Sequence, residues 1–191
     1  MKIVAGRKKG AEIFGPGPKK IRPMRQVVRR AMFDTLRNVV EGSTFLDLFA
    51  GTGSVGLEAL SQGAESVTFV DNLHQAIQLI NKNLEKLGFR NQASVLEMEV
   101  SRALDYLAGK DFTFDLVFVG PPYGEGLSKE TLKLLSEKNI VRSNGIVVTE
   151  MFKKNELPAA CLDFERIQTK NYGQSKLLFY RRTPRPSSRN G

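Results

Sequence analysis

Two stretches of this 191-residue chain carry residues whose chemistry goes beyond packing. The first is Leu46-Asp47-Leu48-Phe49-Ala50-Gly51-Thr52-Gly53-Ser54-Val55-Gly56. Its apolar start reads as a strand, and its glycines as a turn that lets the backbone approach a ligand. The helix that follows opens with free N–H groups facing that turn. Asp71 ends the next apolar run, 20 residues after Gly51, where a carboxylate accepts hydrogen bonds from both hydroxyls of a ribose. Gly51-x-Gly53-x-x-Gly56 matches the dinucleotide fingerprint letter for letter, so a nicotinamide cofactor is one reading. Asp47 argues for another. A carboxylate just ahead of the turn repels a pyrophosphate but suits the methionine ammonium of S-adenosylmethionine, directly or through water.

The second stretch, Phe114-Asp115-Leu116-Val117-Phe118-Val119-Gly120-Pro121-Pro122-Tyr123, is a buried strand running into a stiff double-proline turn with an aromatic behind it. Prolines lack N–H groups, so this corner presents carbonyls without competing donors. Transfer of a methyl group to a base amine needs such acceptors, because the amine lone pair is delocalised into the ring. Gripping its hydrogens favours the pyramidal geometry that attacks. Tyr123 supplies a face on which an unstacked base lies. On this reading Gly120, Pro121, Pro122 and Tyr123 form the catalytic segment.

Both motifs need strand ends held side by side. Thr44–Phe49, Ser66–Val70, Ala93–Leu96, Phe114–Val119 and Gly145–Thr149 are strand-length and rich in Val, Leu, Phe and Ile. Helical stripes lie between them: Ala76, Ile77, Ile80, Leu84 and Leu87, then Val100, Ala103, Leu104 and Leu107. Such alternation predicts a parallel sheet covered on both faces. Phe164–Tyr172 and Lys176–Arg182 flank Gly173 as two strands, the second entering antiparallel to the others. Ahead of the sheet, residues 1–14 read as a hairpin turning through Gly6-Arg7-Lys8-Lys9-Gly10. A helix is expected from Gln26 to Val39, with Val28, Met32, Leu36 and Val39 inward and Arg25 and Arg29 together on another side.

Charge divides along the chain. Residues 1–43 hold 11 Lys/Arg against three acids, and residues 181–191 hold four arginines and no acid, although the whole chain is only +9. Clustered basicity is the footprint of a nucleic-acid partner. Arg7, Lys8, Lys9, Lys19, Lys20, Arg22, Arg25 and Arg29 are the candidate phosphate contacts, with the terminal arginines. A single cysteine, Cys161, excludes an internal disulfide, and a lone His74 excludes a histidine-built metal centre. No apolar run approaches the roughly 18 residues of a membrane span, and no signal peptide is visible. The expectation is a metal-free cytoplasmic protein, monomeric and without membrane contact. His74 is read as a surface or capping residue, Cys161 as packing, Glu150 as structural, and Lys153 and Lys154 as a solvated face.

Nearly from end to end the chain resembles the RsmD family of small-subunit ribosomal RNA guanine-N2 methyltransferases. The resemblance rests on Ile21-Arg22-Pro23 and Ala31-Met32-Phe33, on Asp47 through Leu60, and on Tyr172-Gly173 with Leu177-Leu178-Phe179-Tyr180-Arg181-Arg182. It implies a doubly wound, Rossmann-like class I methyltransferase fold: a mostly parallel seven-stranded sheet with an antiparallel last strand, preceded by a small hairpin and helix. The expected division is a basic RNA-binding segment (1–43), the catalytic domain (44–183) and a flexible tail (184–191). The resemblance further implies S-adenosylmethionine as cofactor, S-adenosylhomocysteine as product, and ribosomal RNA or the small subunit as partner. Gly51 and Gly53 would line the methionine moiety, Asp71 would hold the ribose, and Glu99 would reach the adenine amine with Met98 and Val100 flanking the ring; Asp47, Ala50 and Asn72 are the remaining expected cofactor contacts. Three departures stand out. Gly120 replaces the family's Asp or Asn, Met24-Arg25-Gln26-Val27 replaces Thr-Thr-Asp-Arg, and Glu99 replaces Asp. A nicotinamide oxidoreductase, a non-catalytic ribosomal-RNA-binding protein and a DNA amino-methyltransferase remain as alternatives.

Overall fold

Strand-length apolar runs buried on both faces need helices above and below them, and that demand sets the architecture. A computed structural model describes residues 1–16, 24–122 and 126–184. In chain order the elements are α1 (Gln26–Val40), β1 (Thr44–Leu48), α2 (Ser54–Ser61), β2 (Ser66–Asp71), α3 (His74–Leu87), β3 (Ala93–Glu97) and α4 (Val100–Ala108). Then come β4 (Phe114–Val119), α5 (Leu127–Lys138), β5 (Val141–Phe152), β6 (Ala160–Cys161), β7 (Phe164–Tyr172) and β8 (Ser175–Arg182). One sheet has the order β3-β2-β1-β4-β5-β8-β7-β6. Strands β1 to β5 are parallel, and β8 runs antiparallel between β5 and β7. The winding reverses between β1 and β4, the switch point at which open α/β sheets hold their ligands.

Alternation along each strand divides the core in two. Phe45, Phe69, Leu116, Phe118 and Phe179 face α1, α2 and α3, in one cluster with Met32, Phe33, Leu57, Ile80 and Leu84. Leu46, Leu48, Val117, Val119 and Val147 face α4 and α5, against Ala103, Leu104, Leu132 and Leu135. Ile3 and Ile13 join the first cluster, so the N-terminal segment packs into the same core as the sheet.

The fold class is as expected, with local corrections. The sheet has eight strands rather than seven, because Ala160–Cys161 adds a two-residue edge to β7. Strand β5 starts at Val141, four residues early, across a register irregularity with β4. The N-terminal hairpin is reduced to one bridge, Lys2 with Glu12, and a 3-10 turn over Gly6–Lys8. Helix α1 buries Val28, Arg29, Met32, Phe33, Leu36 and Val40, whereas Val39 is exposed. No helix among the described residues is long and apolar enough to cross a membrane.

Candidate active site

The carboxyl ends of β1 to β5 open on one cleft of about 500 Å³. Its floor is the turn after β1. Ala50 N–H donates to the Val70 carbonyl at 3.0 Å, which ties the turn to β2, and Gly53 N–H donates to the Ala50 carbonyl at 2.8 Å. Gly53 caps α2 with φ 71°, a left-handed conformation that favours glycine. A Cβ on Gly56 would lie 2.3 Å from the Phe69 ring, so only glycine brings α2 this close to the sheet.

Three acidic groups line the floor and the adjoining wall. Asp71 closes β2, accepting from Gly51 N–H at 2.8 Å through one oxygen and from Leu73 N–H at 2.9 Å through the other. Each oxygen keeps a second lone pair for a ligand. Glu99, at the N-terminus of α4, accepts from the Asn72 side-chain amide at 2.6 Å, with Met98 and Val100 on either side in the chain. Asp47 is 1% exposed. Its Oδ2 accepts from Gly56 N–H at 2.9 Å, while Oδ1 is buried without a partner. Burial pushes the Asp47 carboxyl up to about 8; the Gly56 hydrogen bond opposes this and the Asp71 charge adds to it. A buried carboxyl oxygen left open in a cleft wall suits a cation, whose arrival draws the group into its ionised form.

The opposite wall is the double-proline corner. Gly120 N–H donates to the Leu48 carbonyl at 3.2 Å, and Gly120, Pro121 and Pro122 all line the cleft. A Cβ on Gly120 would meet the Phe118 ring at 2.5 Å, so that ring occupies the space of an ordinary side chain there.

The cleft thus brings together Asp47, Ala50, Gly51, Asp71, Asn72, Met98, Glu99, Val100, Gly120, Pro121 and Pro122. Gly53 stands behind the lining as the cap of α2. Met24, Phe49, Phe118, Leu127 and Glu150 are among the other lining residues. Met24 belongs to the departing segment 24–27, and Glu150, read from the sequence as structural, stands two residues before the end of β5 at the sheet's ligand edge. Those were the available signals. Tyr123, Lys19, Lys20 and Arg22 lie outside the described residues.

The basic candidates separate. Arg25 is exposed, and its guanidinium donates to the Tyr172 carbonyl at 2.6 Å. Arg29 differs from expectation: it is 1% exposed, pairs with Glu58 at 3.2 Å, and donates to the Lys2 carbonyl. Glu58 also accepts the Val4 and Ala5 N–H groups, so this pair anchors the N-terminal segment instead of meeting solvent. Arg7 donates to the Leu60 carbonyl, and Arg7 and Lys8 sit over the Phe89 ring. They lie with exposed Lys9 at the far end of α2, whose eight residues alone span about 12 Å from the cleft. Arg182 is buried against Asp163 and holds the Val141 carbonyl and the Asn139 side chain. His74 lies on the surface beside Glu97.

Known proteins carry the same organisation. A family model described as "Conserved hypothetical protein 95" matches residues 1–181. "Putative rRNA methyltransferase YlbH" of Bacillus subtilis is 32% identical over 182 residues, covering 95% of this chain and 99% of its own. "Ribosomal RNA small subunit methyltransferase D" of Escherichia coli K12 is 32% identical over 182 residues, covering 95% and 90%. The solved structure of "Putative methyltransferase yhhF from Escherichia coli" superposes with a TM-score of 0.83 at 31% identity, covering 96% and 98%. With a family model matching residues 1–181 and 32% identity held over nearly the full length, the chain belongs to the RsmD family, that of ribosomal RNA small subunit methyltransferase D.

Proposed function

We propose that this protein transfers a methyl group from S-adenosylmethionine to the exocyclic N2 of a guanine in small-subunit (16S) ribosomal RNA. The observation that carries the reading is the joining, in one cleft, of an acid-walled cofactor floor and a donor-free double-proline corner. S-adenosylmethionine supplies a methyl group on a sulfonium sulfur, ready for direct displacement. The open Oδ1 of Asp47 fits its ammonium and disfavours a dinucleotide pyrophosphate, which counts against the nicotinamide alternative. Asp71 receives the ribose hydroxyls and Glu99 the adenine amine, between Met98 and Val100. The carbonyls of Gly120 and Pro121 accept hydrogens of the target amine, and Tyr123 provides the stacking face. The amine sheds its proton during or after attack, so no strong general base is required. Arg25, next in the chain to the cleft residue Met24, and the exposed Arg7, Lys8 and Lys9 of the N-terminal segment hold phosphates. The names of the relatives support ribosomal RNA as substrate.

The test is incubation with tritiated S-adenosylmethionine and small ribosomal subunits from cells lacking this protein, followed by nuclease digestion and mass spectrometry. The expected product is N2-methylguanosine, lost in Asp71→Ala. Tight binding of a nicotinamide dinucleotide with no uptake of S-adenosylhomocysteine would refute the proposal.

A further inference from the structure

Strand β5 brings a carboxylate to the double-proline corner. The parallel register pairs Phe118 with Val148 and Val119 with Thr149, and Gly120 and Glu150 directly follow the last of these pairs. Paired residues of parallel neighbours share a face of the sheet. Phe118 and Val148 both lie in the cluster under α1, α2 and α3, and Leu177, paired with Glu150 across β8, lies there too. A side chain at 120 would emerge on that same face, where the Phe118 ring already stands. Glu150 lines the cleft with Gly120. It also lines an adjoining hollow of about 350 Å³ bordered by Lys129 and Lys154. Among the described residues, Pro121, Pro122 and Glu150 are the three common to both spaces.

The chemistry of that position selects a base. Guanine's pairing edge sets an N1–H donor beside the N2 amine, whereas adenine and cytosine set a ring-nitrogen acceptor beside theirs. An ionised carboxylate offers two acceptors side by side and complements only the guanine edge. We propose that Glu150 reads the target base at the junction of the two hollows, accepting N1–H and one N2–H of guanine. It thereby supplies the side-chain acceptor that Gly120 lacks. The inference rests on the methyltransferase reading above. Lys129 and Lys154 border the hollow where the phosphates flanking an extruded nucleotide pass.

The test uses the full-length protein with two substrates: unmodified small subunits, and subunits reconstituted with 2-aminopurine at the position mapped by mass spectrometry. 2-Aminopurine keeps the amine but turns an N1 lone pair toward the carboxylate. The wild type should prefer guanine by about a hundredfold or more in kcat/KM, as expected for a preorganised polar contact. Glu150→Gln, whose amide can donate to N1, should lower guanine methylation about a hundredfold and bring the two substrates within about tenfold. Affinity for S-adenosylhomocysteine and the melting temperature should stay at wild-type values, which a merely structural role would not allow. Glu150→Ala should also lose guanine methylation, and the isosteric Gln variant decides if Ala fails to fold. Equal use of both substrates by the wild type would overturn the inference, as would undiminished methylation by the Gln variant or a parallel loss of cofactor affinity. A wild type that methylates neither substrate would instead refute the parent reading, and this one with it.

Discussion

Asp47→Asn removes one charge from the cleft floor and leaves its shape intact. The carboxylate is buried, one oxygen is held by Gly56 N–H, and the other is open. Its folded-state pKa, about 8, lies above the ordinary 3.8. Raised in this sense, the group contributes stability that is fully present below pH 3.8 and is lost as pH rises through 8. In between, the unliganded protein should lose about 1.4 kcal/mol per pH unit through this residue, on the order of 6 kcal/mol in all. Asparagine keeps an acceptor for Gly56 and carries no charge. Unliganded Asp47→Asn should therefore melt above the wild type at pH 8, with the difference shrinking toward pH 4.

Cofactor binding reverses the sign. The methionine ammonium wants Asp47 ionised, so binding near neutral pH must expel a proton. Affinity for S-adenosylhomocysteine should rise with pH up to about 8, by as much as tenfold per unit. In Asp47→Asn the rise disappears. Loss of a hydrogen bond to a charged group, about 1.5–3 kcal/mol, then leaves binding about 10- to 150-fold weaker at pH 8.5. Titration calorimetry in buffers of different ionisation enthalpy reads affinity and proton release together, and thermal unfolding without ligand reads the stability arm. A pH-independent affinity with no proton released, and an Asn variant binding like the wild type, would refute the reasoning.

Arg29→Ala leaves Glu58 buried and uncompensated; a loss of about 3–5 kcal/mol is expected by denaturant unfolding. Faster hydrogen exchange should follow at Val4 and Ala5, whose amides bond to Glu58. Gly56→Ala drives a methyl group into the Phe69 ring; the expected cost is about 1–3 kcal/mol in unfolding, with weaker S-adenosylhomocysteine binding because the Asp47 hydrogen bond shifts. Gly120→Asp alone should lower methyl transfer, since its Cβ would lie 2.5 Å from the Phe118 ring. Adding Phe118→Val to make room should raise transfer above that of the single variant, as read with tritiated cofactor.

Most of the scaffold was legible because its signals are local. Fully buried parallel strands read as continuous apolar runs, and β1 to β4 stand within a residue or two of the expected boundaries. Helix α5 has a thin apolar stripe, because Ser128, Thr131 and Ser136 share its buried face with Leu132 and Leu135. The first half of β5, with Arg142, Ser143 and Asn144 exposed, lacks the apolar pattern of a strand. β6 is too short for any period. The cofactor floor was legible for a related reason, since the glycine turn is a single stretch of chain and Asp71 stands one strand away.

What sequence spacing did not disclose depends on partners distant in the chain. An arginine on a helix reads as surface, and Arg29 becomes core only because Glu58, from another helix, meets it. The same holds at the double-proline corner. Taken alone, Gly120 is a missing acceptor and Glu150 reads as structural. In the fold both line one cleft, each directly after the last registered pair of β4 and β5, and the Phe118 ring fills the space a side chain at 120 would take. An acid restored at 120 would contend with that ring, whereas an acid on the next strand need not. On the reading proposed here, base recognition falls to the next strand, and residues 118, 120 and 150 act as a set rather than one at a time.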